Sequence, residues 1–128
     1  MILLLDTSTP ECKLTLVDGE ARYEYAWQAD RELARGLLEF LVAKLAEHEQ
    51  TLAGLDGIGV LCGPGSFTGL RIGITTLNTV ADSEHIPIVG TLGEQWRDDA
   101  LARLAAGEND QIVLPEYGRE ARITAPRK

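Results

Sequence analysis

Apolar positions along the chain change their spacing several times, and each change marks an element. Residues Ile2 to Leu5 form a continuous apolar run that stops at Asp6, the pattern of a short buried strand. The strand end delivers Asp-Thr-Ser-Thr-Pro into a turn. From Cys12 the pattern alternates through Leu14 and Leu16 and ends at Asp18-Gly19, a hairpin signal. Alternation resumes with Tyr23, Tyr25 and Trp27 on one face, so three antiparallel strands are expected first.

From Arg31 to His48 the period lengthens. Leu33, Leu37, Leu41 and Leu45 recur every fourth residue, with Leu38 and Val42 widening the stripe, as for a helix laid on a sheet. Asp30 stands where a capping side chain is wanted. Ile58 to Cys62 reads as a fourth strand, followed by the stretch CGPGSFTGLRIG. A second helix is expected from Phe67 or Thr68 to Ser83, a fifth strand in IPIVG, and a third helix from Leu92 to Ala106. One more strand, Ile112 to Leu114, opens a polar tail that either adds an edge strand or binds something else. This order predicts an α/β domain: a mixed five-stranded sheet flanked by helices.

Length and charge narrow the picture. The 128 residues, 45% of them apolar, suit a single compact domain. A net charge of −8 argues against a general nucleic-acid footprint, which needs clustered Lys and Arg. Cys12 and Cys62 lack metal-like spacing and are read as reduced cytoplasmic thiols. The apolar opening is too short for a signal peptide or a membrane span, so a cytoplasmic protein without membrane contact is expected.

The glycine-rich stretch first suggests a phosphate cradle. A Walker loop needs Lys followed by Ser or Thr after its last glycine, but Gly69 is followed by Leu70-Arg71. The dinucleotide fingerprint fails as well, because Thr68 stands where its third glycine belongs. Two readings stay open for Gly63, Gly65, Ser66 and Thr68: anion contact by backbone N–H groups at a helix start, or a tight packing turn.

Gly69 and Gly73 share one helix face with Thr76 and Val80. That face packs closely either on this protein's own sheet or on another subunit. At the first strand end, Asp6, Thr7, Ser8 and Thr9 place a carboxylate and three hydroxyls where α/β folds bind ligands. The carboxylate could hold hydrated Mg²⁺ or cap its own turn. Arg71, a cation at the start of a helix, calls for an acidic or phosphate partner or the chain's own C-terminal strand, with internal pairing preferred. His48 and His85 have no nucleophile partner and read as solvated surface residues. Cys62 reads as core, although a nearby helix start could lower its pKa. Glu94, Asp98 and Asp99 read as a solvated helix face.

Three blocks, ILLLDTSTPECKLTLVDG, GIGVLCGPGSFTGLRIGITTLNTVA and IPIVGTLGEQ, resemble the TsaB (YeaZ) family, which takes part in forming threonylcarbamoyladenosine (t6A) at position 37 of tRNA. The tail PEYGREARITAPRK resembles the family's C-terminal tyrosine-arginine stretch at Tyr117 and Arg119, with Gly118 in place of the usual leucine. The resemblance implies an actin-like, ribonuclease-H-like lobe and a non-catalytic scaffold role beside the catalytic subunit TsaD. It also implies pairing through the helices of the first lobe, recruitment of the ATPase TsaE, homodimers through a similar surface, and only indirect tRNA contact. The interface helix would contain Gly69, Gly73, Ile74, Thr76, Leu77 and Val80. No cofactor is required, and ATP or ADP with Mg²⁺ is expected only at a partner interface. Between Glu94 and Glu116 the family inserts most of a second lobe, which has no counterpart here. The expectation is a compact single lobe over residues 1–128 with a family-like tail at 112–128. Two alternatives remain: a small nucleotide-binding enzyme using the Asp6 and Gly63–Gly69 loops, and a degenerate paralogue that only homodimerises.

Overall fold

The computed structural model describes residues 1–116, so the motif residues Tyr117 and Arg119 lie outside the described residues. Strands β1 (Ile2–Asp6), β2 (Glu11–Asp18) and β3 (Ala21–Gln28) form the antiparallel meander that the alternation predicts. Helix α1 (Leu33–Ala46) crosses to β4 (Gly57–Leu61), which pairs parallel to β1. Helix α2 (Phe67–Glu84) leads to β5 (Ile88–Thr91), parallel to β4, and α3 (Trp96–Ala105) follows. The sheet order is β3-β2-β1-β4-β5, a mixed α/β lobe.

Strand alternation splits the core between the two faces of this sheet. Leu3 and Leu5 of β1 join Leu37, Leu41, Leu70, Ile74 and Leu77 under α1 and α2. Leu4 points the other way and meets Val89, Trp96 and Ala100 under α3.

The structure corrects several expectations. A 3₁₀ turn at Asp30–Glu32 precedes α1, and Asp30 does not cap it; its carboxylate accepts from Gln28 Nε2 at 2.8 Å. Helix α3 starts at Trp96 rather than Leu92, after a turn at Gly93 with φ of 84°. Leu38 and Val42 do not lie on the sheet: each is 48% exposed, because the four-residue spacing of Leu33, Leu37, Leu41 and Leu45 already fills the inward face of α1.

Ile112 to Leu114 is not a strand. Val113 donates its N–H to Asn78 Oδ1 and accepts from Asn78 Nδ2, both at 2.9 Å, so a side chain of α2 replaces a ladder partner. The outer edge of β5 is already occupied. Asn109 accepts from Ile88 N, Asp110 accepts from Gly90 N, and Arg103 donates to the Gly90 carbonyl. Ile112 and Leu114 therefore project outward, 68% and 74% exposed.

Candidate functional site

Four of the opening-loop and signature-loop residues meet at one junction. Thr7, fully buried, donates from its Oγ1 to the Gly69 carbonyl at 2.8 Å. Ser66 N donates to the Ser8 carbonyl at 2.8 Å, which ties the signature loop to the end of β1. Ser66 Oγ accepts from Gly69 N at 3.2 Å, capping α2. A Cβ at Gly69 would fall on the Thr7 carbonyl oxygen, and one at Gly73 would lie 2.9 Å from Thr7 Cγ2 and closer still to its hydroxyl. These glycines are required by close approach of α2 to β1.

Of the two readings of the Gly69–Gly73 face, the fold supports the one that packs it on this protein's own sheet. Gly69, Gly73, Ile74, Leu77 and Val80 are all buried under α2, and Thr76 alone of that set is half-buried at the surface.

The acidic and hydroxyl groups are also engaged locally. Asp6 Oδ1 accepts from Ser8 N at 2.8 Å and Ser8 Oγ at 2.6 Å, and Thr9 bonds the backbone of Glu11 in both directions. This is the turn-capping arrangement rather than an open ligand set. Gly63 and Gly65 serve packing too, since a Cβ at either would collide with the Glu116 carbonyl or with Ser8.

A groove of about 700 Å³ opens beside this junction, lined among others by Thr9, Ser66, Thr68, Asp30, Arg31 and Glu32. One arginine against two carboxylates leaves it with no excess of positive charge for a phosphate. Arg71 does not line this groove. Its guanidinium carbon sits 5.4 Å from the Phe67 ring centroid, a cation–π contact one turn away. Among the described residues Arg71 forms no ion pair, and the C-terminal segment beyond Glu116, one of the partners expected for it, lies outside the described residues.

A second groove, about 320 Å³, runs between α1 and α2 and is lined by Ala34, Thr68, Arg71, Ile72, Thr75 and Thr76. Ala34, Leu38 and Val42 follow at intervals of four along α1, so the two exposed apolar side chains extend the wall that Ala34 begins. Small and apolar side chains on two adjacent helices make this a surface that another helix could enter.

The thiols offer no nucleophile. Burial pushes Cys12 up to about 12, with the Asp6 charge adding to it, and pushes Cys62 up to about 11, so the helix start does not lower it. His48 is not a free surface residue: its Nε2 lies 2.7 Å from Tyr25 Oη and its ring centroid 4.3 Å from that of Tyr23. Asp98 pairs with Arg22 at 3.3 Å. Among the described residues no group of three or more His, Cys, Asp or Glu side chains could hold a metal ion.

A family model described as TsaD: tRNA N6-adenosine threonylcarbamoyltransferase matches residues 27–91, half of the chain. The tRNA threonylcarbamoyladenosine biosynthesis protein TsaB of Buchnera aphidicola is 30% identical over 128 residues, covering 95% of this chain and 61% of that protein. The chain belongs to the TsaB/YeaZ family.

The structure of YeaZ from Pseudomonas aeruginosa superposes with a TM-score of 0.66 at 31% identity, over 71% of this chain and 43% of that one. An uncharacterized protein of Mycobacterium tuberculosis is 35% identical over 108 residues, 78% of this chain and 51% of its own length. The chain thus spans about half the length of the curated relatives it matches. In this TsaB/YeaZ lobe the surface residues that sequence reasoning missed are Leu38, Val42, Ile72 and Thr75. The signal was present in α1: Leu38 and Val42 widen the apolar stripe beyond the row of Leu33, Leu37, Leu41 and Leu45 that one inward helix face needs.

Proposed function

We propose that the chain is a non-catalytic pairing lobe for a TsaD-like catalytic subunit in threonylcarbamoyladenosine formation on tRNA. The observation that carries this reading is the exposed apolar wall of Leu38 and Val42 beside the α1–α2 groove at Ile72 and Thr75. Such a groove accepts a helix of a partner without disturbing the buried glycine face behind it. Membership of the TsaB/YeaZ family supports both the pathway and the accessory role.

A TsaE-like ATPase then joins the pair, and tRNA is contacted through the catalytic subunit rather than by this acidic chain. Any ATP or ADP with Mg²⁺ belongs to the assembled interface, because Asp6 and Ser66 are committed to their own turns. The setting is cytoplasmic; among the described residues no helix is long and apolar enough to cross a membrane.

Reconstitution of tRNA threonylcarbamoylation with TsaD-like and TsaE-like subunits, with and without this chain, tests the role. Product formation that depends on the chain, and that Ile72→Asp lowers at limiting concentrations of the chain, is the expected result. Modification unaffected by omitting the chain would overturn it.

A further inference from the structure

The two edges of the sheet are treated differently. The β5 edge is covered by Arg103, Asn109 and Asp110, as described above. Strand β3 lies at the other edge, and among the described residues its only strand partner is β2. Natural sheets guard such edges with charged side chains, lysine above all, or with proline or a bulge; on β3 the charges are Arg22 and Glu24, of opposite sign and two residues apart, so a second copy can match rather than repel them. The eight residues of β3 contain neither lysine nor proline, and its register with β2 runs unbroken from Glu11↔Gln28 to Asp18↔Ala21, without a bulge.

Hairpin geometry determines which backbone groups this edge presents. Asp18 and Ala21 close a two-residue turn in which Gly19 has φ of 63°. The closing pair of such a turn exchanges both hydrogen bonds, and the pattern then alternates along the ladder. Ala21, Tyr23, Tyr25 and Trp27 therefore direct their N–H and C=O groups to β2. Arg22, Glu24, Ala26 and Gln28 direct theirs outward, and their side chains are exposed on the α3 side of the sheet.

We propose that β3 pairs antiparallel with β3 of a second copy of this chain, joining the two sheets into one. Hydrogen bonds can form only between outward-directed residues, which restricts the registers. One of these sets Arg22 opposite Glu24 of the second copy, and by the two-fold axis Glu24 opposite its Arg22. Moving the second copy by two residues one way sets Glu24 against Glu24, and the other way Arg22 against Arg22. Like charges directly opposite are destabilising and opposite charges favourable. A further shift that sets Glu24 against Ala26 and Arg22 against Gln28 avoids repulsion but forms no charge pair, so the first register, with two Arg–Glu pairs, is the one favoured by charge. Asp98 of α3 already holds the Arg22 side chain at this edge, 3.3 Å away. In the selected register the two-fold axis passes by Tyr23, which faces Tyr23 of the second copy as a non-hydrogen-bonded pair, the closer of the two kinds. The α1–α2 groove lies on other elements and stays open to a different partner.

The test is the mass of the full chain in solution, by light scattering and sedimentation. The wild-type chain is expected to dimerise. Arg22→Glu and Glu24→Arg should each weaken the dimer at least about tenfold, roughly 1.4 kcal/mol, while the double exchange R22E/E24R restores it. Tyr23→Cys should form an interchain disulfide under mild oxidant, since Cys12 and Cys62 are buried and leave little background. Circular dichroism of each variant separates a lost dimer from a lost fold, and rescue by the double exchange requires a folded chain. A wild-type chain that remains monomeric overturns the proposal. So does a dimer that survives both single charge reversals but dissociates on Ile72→Asp, since it would then be held by the α1–α2 face.

Discussion

Helix α2 has two faces of opposite character. Its inner face carries Gly69, Gly73, Ile74 and Leu77 and touches Thr7 so closely that no side chain fits at the glycines. Its outer face carries Thr68, Arg71, Ile72 and Thr75 and borders an open groove with α1. The inner face builds the lobe, and the outer face is the one on which the proposed partner docks. A helix with glycines four apart need not be advertising an interface; here the glycines let it lie on a strand end.

The largest effect should come from filling the inner face. Gly73→Leu places a side chain where Thr7 stands, at a cost of roughly 3 kcal/mol or more, and the urea midpoint should collapse. If stability is retained while pairing is lost, the division of the two faces is wrong. On the outer face, Ile72→Asp replaces a half-buried side chain at the margin of the core, so it should cost about 1–2 kcal/mol of stability, less than Gly73→Leu, and weaken binding of a TsaD-like subunit by about 2 kcal/mol, roughly thirtyfold. Calorimetric titration of the two proteins reads that difference.

How much of this was legible beforehand depends on where the physics is local. Strands β1 to β4 and helix α2 lie within a residue or two of where hydrophobic period and turn residues put them, because burial on one face leaves a periodic trace. The glycine spacing was legible too, but not what it met. Nothing near Gly73 in the sequence announces Thr7, sixty-six positions earlier. The strap at Ile112–Leu114 misled for a similar reason: its short apolar run suits a strand, yet the β5 edge is taken by Asn109, Asp110 and Arg103, a decision made by tertiary contacts. The outer face of α1 was visible as surplus width in the apolar stripe and was misread as sheet contact.

Smaller effects probe the inner side from its margins. Asn78→Ala removes both hydrogen bonds that fix Val113 and should lower stability by about 1–3 kcal/mol, with faster amide exchange at Val113 and no change in partner binding. The acid limb of stability should involve Asp110. Burial raises its carboxyl, but the hydrogen bond from Arg103, the Gly90 N–H and the Arg103 charge outweigh burial and hold it below the usual carboxylate range. A depressed folded pKa contributes stability above the unfolded value, and that stability is lost as pH falls through the folded one. Asp110→Asn should therefore flatten the acid limb of a pH–stability curve, and an unchanged limb would remove the clasp from the account.

The central claim is that the outer α1–α2 face, and not the glycine face behind it, pairs this lobe with its partner. The most direct measurement is calorimetric titration of a TsaD-like subunit with the wild-type chain and with Ile72→Asp, at matched folded fractions. The account predicts a saturable heat for the wild type and a loss of affinity of roughly thirtyfold for the variant. Equal affinities for the two chains would contradict it.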